Sequence, residues 1–214
     1  ADSGIEALRK EFEVDVYPEM TQEELKEKIK EYDALIVRSA TKVTKEIIEQ
    51  ADKLKIIGRA GIGVDNVDVE AATKKGIIFA NAPQSNIIST AEHAIALLLA
   101  QCRNIPQANA SLKSRKWERS KFEGVELYEK TLGILGLGKI GTLVAQRALS
   151  FGMKLIAYDP YMSKDRAAQL SVRLIENLDD FLKEADFITI HLPKTTETIG
   201  LIGAREFSLM KDGV

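Results

Sequence analysis

Residues 131–160 read TLGILGLGKIGTLVAQRALSFGMKLIAYDP, and the fold turns on this stretch. Leu132 to Leu137 is an apolar run of strand length, broken by glycine where a turn must begin. Gly136, Gly138 and Gly141 have the spacing G-x-G-x-x-G. Ile140, Val144, Ala148 and Phe151 then recur at roughly helical intervals, up to Gly152 in a helix-ending position. A second apolar run, Lys154 to Tyr158, finishes in Asp159 and Pro160.

Three glycines alone carry little weight, since loops often use them only for backbone geometry. Here a strand precedes them, a helix follows and an acid ends the next strand, which is the context that gives the spacing a chemical meaning. Gly136 allows the tight turn, Gly138 lets the backbone approach a pyrophosphate, and Gly141 lets the helix lie close on the strand. The helix N-terminus offers unpaired N–H groups and partial positive charge to phosphates. Asp159 is placed to take both ribose hydroxyls, a charge-assisted hydrogen bond being worth roughly 1.5–3 kcal/mol. A 2′-phosphate would instead meet like charge, at about 4 kcal/mol for unit charges ~4 Å apart near a protein surface. The expected cofactor is therefore NAD in preference to NADP.

Outward from this stretch, composition sets broad bounds. The 214 residues are 45% hydrophobic and 29% charged, an ordinary globular balance, and exceed the commonest single-domain size. A net charge of −2, with Lys and Glu alternating along helices, gives no reason to expect a nucleic-acid or membrane partner. Cys102 is the single cysteine and lies in an apolar helix, so it reads as a buried small hydrophobe in a reducing compartment. No signal-peptide pattern opens the chain, and the longest apolar run, residues 94–100, is far too short to span a bilayer. A cytoplasmic location is expected, and no metal site is read.

Before residue 131 the pattern alternates helix and strand. Helices are expected at 5–10, 21–31, 45–51 and 67–75, and strands at 12–17, 34–37, 54–57 and 77–80. Thr21 and Glu24 have capping-box spacing, and so do Ser89 and Glu92 before a long apolar helix to about Arg103. Pro106 suits the first turn of a further helix. The polar segment 116–130 crosses to the second unit, on which the helix from Ser89 could dock. After Asp159 come a helix at 163–169, strands near 172–175 and 186–192, and helices at 178–184 and 204–210. This alternation predicts an α/β fold of two doubly wound parallel-sheet domains, covered on both faces. The expected division is 1–88 as a substrate-binding domain, 89–130 as long helix and crossover, and 131–214 as the dinucleotide domain. A first helix with no strand before it, and a sheet short of a fifth strand at Val214, suggest that both domains are incomplete.

Ligands of open α/β sheets sit beyond the carboxyl ends of the strands. There the sequence offers Arg38 and Ser39, then Arg59, Gly61, Ile62 and Gly63, then Asn81. Guanidinium forks, a hydroxyl, an amide and glycine-loop N–H groups suit a small polyanion, although the same residues would also serve as loop and capping groups. At the end of the last strand, His191, Leu192 and Pro193 fall where a nicotinamide would lie. Of the two histidines, His191 more naturally lines the cofactor with its backbone, and His93 reads as a satisfied buried imidazole. Neither is assigned as acid or base.

Several stretches together resemble one family. VRSATKVT from Val37, GRAGIGVDNVDVEAATKKGI from Gly58, NAP from Asn81, STAEHAIALLLA from Ser89, RNIPQAN from Arg103, KWER from Lys116, KTLGILGLGKIG from Lys130, YDP from Tyr158 and DFITIHLP from Asp186 are similar to the D-isomer-specific 2-hydroxyacid dehydrogenases. The resemblance implies a flavodoxin-like substrate domain and a Rossmann NAD domain. It also implies an NAD-dependent oxidation of 3-phosphoglycerate to 3-phosphohydroxypyruvate, the step that opens serine synthesis, so the expected partner is a small phosphorylated 2-hydroxy acid. By family analogy Arg38, Ser39, Arg59, the 61–63 backbone and Asn81 hold substrate, and Lys139, Ile140, Asp159 and Leu192 touch NAD. A full-length homodimer or homotetramer is expected.

The departures are specific. The family's catalytic arginine, glutamate and histidine come after the segment matching Lys211 to Val214, so no catalytic residue is assigned and the chain alone is expected not to turn over. Ser85 and Glu129 stand where the family usually has glycine. Alternative readings are a glyoxylate, hydroxypyruvate or D-lactate dehydrogenase, or a non-catalytic NAD-sensing relative.

Overall fold

The computed structural model describes residues 2–214. Its internal contacts divide the chain into two compact units, one ending at Ser85 and one spanning Asn86–Val214. The helix that follows Asn86 therefore packs with the second unit.

The first unit contains α1 (Asp2–Arg9), α2 (Gln22–Lys28), β1 (Ala34–Val37), α3 (Lys45–Gln50), β2 (Ile56–Arg59), α4 (Val69–Lys74) and β3 (Ile78–Asn81). The capping box at Thr21 and Glu24 forms as the spacing predicts. Its three strands make a parallel sheet in the order β1-β2-β3, with Val37 opposite Arg59 and Arg59 opposite Asn81. Val37 and Ile57 point from this sheet into a core with Leu25, Ile29, Ile47 and Ile48 of the helices. The other face is open: Ile36, Ile56 and Ile78 are 57%, 37% and 64% exposed. The expectation of cover on both faces therefore fails for this sheet.

Three further expectations are corrected here. Residues 12–17 form no strand; Phe12 and Val16 stay exposed because no described strand offers this segment a ladder partner. The second and third strands begin and end one to two residues later than the apolar runs suggest. The register carries Arg59 into the sheet, where it is buried, instead of leaving it in the loop.

The second unit contains α5 (Ile87–Cys102), α6 (Ile105–Lys113), β4 (Thr131–Leu135), α7 (Lys139–Leu149), β5 (Lys154–Tyr158), α8 (Lys164–Gln169), β6 (Arg173–Leu174), α9 (Leu178–Glu184), β7 (Phe187–Ile190) and α10 (Ala204–Leu209). The strands are parallel in the order β6-β5-β4-β7. The chain steps one way from β4 to β6 and then returns to β4's other edge, so the switch point lies between β4 and β7. This sheet is covered on both faces: Leu132, Ile134, Leu155 and Ala157 pack with α5 and α7, while Leu135 and Ile156 pack with Phe181 and Leu182 of α9. Cys102 is buried in the first of these layers, and burial pushes its thiol above the usual value.

Helix α5 starts two residues earlier than expected. Asn86 is its N-cap residue, and the Ser89 hydroxyl donates to the Asn86 carbonyl, so the Ser89–Glu92 box does not form. His93 is exposed on this helix and is not a buried imidazole. No helix among the described residues is long and apolar enough to cross a membrane.

Candidate functional site

At the switch point of the second sheet the chain leaves β4 and turns through Gly136, at φ +88, into α7. Only glycine takes that backbone conformation without strain. A Cβ at Gly136 would also stand 2.9 Å from the His191 carbonyl oxygen and 2.9 Å from Leu192 Cδ2. Gly141, one turn into α7, is pressed against the same corner: a Cβ there would lie 2.1 Å from the Gly136 carbonyl oxygen. Gly138, the N-cap residue of α7, is the opposite case, because a Cβ would meet nothing within 4 Å. Two of the glycines thus close the corner, and the third leaves free space over the first N–H groups of the helix. An oxyanion is the complement of such a surface.

Asp159 follows β5 and is half-buried beside the turn. Its Oδ2 accepts the Leu137 N–H at 2.8 Å and its Oδ1 accepts the Tyr161 N–H at 2.9 Å. Each carboxylate oxygen has a second lone-pair direction left, so the group can brace the turn and still accept ribose hydroxyls. The Leu137 contact is invisible in the sequence; only the loop's closing geometry brings that N–H to the acid. Lys139 and Ile140 are the first helical residues after Gly138, Lys139 being exposed, and Pro160 is exposed just beyond Asp159.

The last strand ends on the same corner. The His191 N–H donates to the Leu135 carbonyl at 2.8 Å, continuing the ladder one residue past β7. Its ring lies with Nε2 2.9 Å from Thr189 Oγ1, and burial holds it below the ordinary histidine value. Leu192 touches the Gly136 position, and the Pro193 carbonyl accepts the Thr198 hydroxyl at 2.5 Å. A hollow of about 300 Å³ beside this segment is lined by Leu135, Leu192, Pro193 and residues 198–202. Gly136, Gly138 and Gly141 are not among its lining residues. All ten residues that the sequence suggests for the cofactor therefore gather around one corner of the second unit.

In the first unit the strand-end residues also gather at one sheet edge, but not as equals. Arg38 and Ser39 are exposed after β1. Arg59 is buried, with its Nε donating to Asn66 Oδ1 at 2.6 Å. Asn81 donates from its side-chain amide to the Ile62 carbonyl at 2.7 Å, holding the 61–63 loop from β3. The sequence singles out none of the work done by Asn66, because nothing in the motif GVDNVD distinguishes a loop brace from a helix-capping residue.

A doubly wound unit with an acid-braced glycine turn at its switch point is the arrangement of a dinucleotide-binding domain. Comparison with known proteins makes the class definite. Residues 95–214 match the family model for the NAD binding domain of D-isomer specific 2-hydroxyacid dehydrogenases. The chain belongs to that family, and NAD is the cofactor of its second unit.

Among its relatives is a D-3-phosphoglycerate dehydrogenase of Methanocaldococcus jannaschii, 54% identical over 210 residues, which cover 98% of this chain and 40% of the relative. A second D-3-phosphoglycerate dehydrogenase, of Archaeoglobus fulgidus, is 53% identical over 215 residues, covering 100% of this chain and 41% of the relative. The chain thus spans about 40% of the length of these curated relatives. Among solved structures, D-lactate dehydrogenase from Aquifex aeolicus complexed with NAD and lactic acid superposes with a TM-score of 0.88 at 30% identity, covering 99% of this chain and 63% of that one.

Proposed function

We propose that this chain supplies the coenzyme unit and part of the substrate unit of an enzyme that oxidises D-3-phosphoglycerate to 3-phosphohydroxypyruvate, the first step of serine biosynthesis. The observation that carries the coenzyme half is the open space over Gly138 at the N-terminus of α7, with Asp159 bracing the turn beside it. The substrate half is supported by the relatives' names and by a strand-end rim of Arg38, Ser39 and the 61–63 loop, where an exposed guanidinium and hydroxyl, with the Ile62 and Gly63 N–H groups beside them, suit carboxylate and phosphate; the Gly61 N–H is taken up by the Arg59 carbonyl at 2.8 Å.

When bound, NAD would supply the acceptor for the hydride on the carbon bearing the substrate hydroxyl. The chain's own residues bind and orient. Amides 138–140 receive the pyrophosphate, Asp159 accepts the ribose hydroxyls, and residues 191–193 line the nicotinamide end. Arg38 and Ser39 hold the substrate's anionic groups. Removing the hydroxyl proton needs a base near neutrality. No base is assigned to either histidine: His93 lies on α5, which carries none of the strand-end residues, and the His191 Nε2 is engaged with Thr189. The reading therefore assigns this chain binding without turnover. It extends to a homodimer or homotetramer of the full-length protein, which sedimentation would test.

Calorimetric titration tests the coenzyme half. NADH is expected to bind more tightly than NADPH, and Asp159→Asn to weaken NADH by about tenfold or more while narrowing that preference, as loss of a charge-assisted bond implies. Equal affinity for the two coenzymes would refute the role given to Asp159. An assay of the chain with NAD and 3-phosphoglycerate is expected to show no turnover. Robust turnover would refute the assignment of binding alone, and a preference for lactate or glyoxylate over the phosphorylated acid in binding would move the substrate to another member of the family.

A further inference from the structure

The 61–63 loop owes its shape to a side chain beneath it. Gly61 and Gly63 do not have the left-handed φ that demands glycine elsewhere in the chain. What a Cβ would meet there is the Arg59 guanidinium, with Nη1 at 3.0 Å from the Gly61 position and 3.2 Å from the Gly63 position, and at Gly63 also Asp65 Oδ1 at 2.8 Å. The Arg59 side chain is only 8% exposed, and Asp65 Oδ1 lies 3.8 Å from its Nη2. The loop is wrapped around a buried cation.

Asn66 fixes that cation and reaches further. It is 7% exposed and uses every part of its amide. Its Oδ1 accepts Arg59 Nε at 2.6 Å, while its Nδ2 donates to the Arg38 carbonyl at 2.9 Å and the Thr41 carbonyl at 2.6 Å. Those two carbonyls flank Ser39. A single side chain therefore ties the turn that presents Arg38 and Ser39 after β1 to the glycine loop after β2, and the backbone carbonyl of Asn66 accepts the Val43 N–H at 2.7 Å. An amide has two donors and one carbonyl acceptor, so Asn66 has no spare donor for a ligand.

We propose that Arg59 and Asn66 are positioning residues that preassemble the anion-binding rim, and that the substrate's charge is met by Arg38, Ser39 and the loop amides they hold in place. The proposal rests on the reading of this rim as the substrate site. Its physical content is preorganisation: with the crosslink intact the two loops are ordered before the ligand arrives, and without it their ordering is charged against binding. Arg59 would then be wanted for its Nε–H and its bulk under the loop more than for a fork offered to the substrate.

The test is a nitrogen-15 NMR titration of the 214-residue chain with 3-phosphoglycerate and, separately, inorganic phosphate, with NADH affinity of the second unit as an internal control of sample integrity. In the parent chain, saturable shifts are expected at the amides of Ser39, Ile62 and Gly63, together with an Arg59 Nε–H protected from exchange. Asn66→Ala should weaken 3-phosphoglycerate by about tenfold, the scale expected when loops must be ordered on binding, and should expose the Arg59 Nε–H. Asn66→Asp keeps the acceptor and loses both donors, so it should keep the Nε–H protected yet still weaken the anion; this split separates positioning from simple loss of stability. Arg59→Lys should weaken binding and shift the free-state amides of the loop. An Asn66→Asp chain that binds as tightly as the parent would overturn the proposal. So would an Arg59→Lys chain that loses the anion while its free-state loop amides stay unmoved, the signature of a direct ligand. A parent chain that binds neither anion would instead overturn the substrate reading itself.

Discussion

The two glycine-rich turns of this molecule look alike as text and are built on different physics. Around Gly136 and Gly141 the obstacle to a side chain is backbone: a left-handed φ of +88 and a carbonyl oxygen 2.1 Å from where a Cβ would sit. Around Gly61 and Gly63 the obstacle is side-chain ends, Arg59 Nη1 at both and the nearer Asp65 Oδ1 at Gly63, which are less rigid than backbone. The first turn closes a corner between strand and helix and has no means of yielding. The second is draped over a cation and can yield if the cation does. A glycine pattern is therefore not one signal: what each glycine avoids decides how much depends on it.

The strongest way to break this contrast is Gly141→Ala. The new methyl would meet backbone on a buried face, so the second unit should lose about 3 kcal/mol or more and its NADH binding, read by chemical denaturation and calorimetry. Tolerance of the change within 1 kcal/mol would mean that α7 does not press on the turn as described.

Gly63→Ala should cost less, about 1 kcal/mol, because Asp65 Oδ1 at 2.8 Å and Arg59 Nη1 at 3.2 Å are side-chain ends that can withdraw. The part of that cost due to the guanidinium should disappear in an Arg59→Lys background while the part due to Asp65 remains, and a double-mutant cycle measures the coupling. Additivity of the two changes would sever the loop from the guanidinium.

Glu129 sharpens the comparison from the other side, because it holds φ +60 without being glycine. It donates its N–H to the Gly152 carbonyl in the turn before β4, and the side chain is exposed. Glu129→Gly should raise stability by about 1 kcal/mol or slightly less, as relief of a left-handed non-glycine residue implies. A thermal melt detects this, and destabilisation would show that the position carries no strain.

The smallest effect belongs to His191. Its folded value lies below the unfolded one because burial disfavours the charged ring. The folded state therefore binds the proton less readily than the unfolded chain. Its contribution to stability is unaffected well above the unfolded value of about 6.5, declines as pH falls through that value and levels off below the folded one. His191→Gln should remove this slope from a pH series of denaturation midpoints, and a carbon-bound proton titration of the ring should show a midpoint below the free value.

What could be read from the chain follows the same division. The corner of the second unit was legible because backbone constraints leave a spacing behind: Gly136, Gly138 and Gly141 are fixed by turn geometry, and Asp159 by the end of the next strand. Side-chain constraints leave none. Nothing in GRAGIGVDN says that Arg59 turns inward or that Asn66 spans two loops, since both depend on a strand register two residues beyond the apolar run. The strand expected at 12–17 failed for a related reason: alternation marks a segment able to pair, and carries no information about whether an edge is there to receive it. His93 departs from the expected burial because a helix rich in apolar residues still turns some positions to solvent.

The central claim is that the corner formed by Gly136, Gly138, Gly141 and Asp159 grips NAD. Titrating the nitrogen-15-labelled chain with NADH tests it most directly. Saturable shifts are expected at the amides of Leu137, Gly138, Lys139 and Ile140 and at Tyr161, whose N–H rests on the same carboxylate. An unchanged spectrum, or shifts that avoid this corner, would contradict the account.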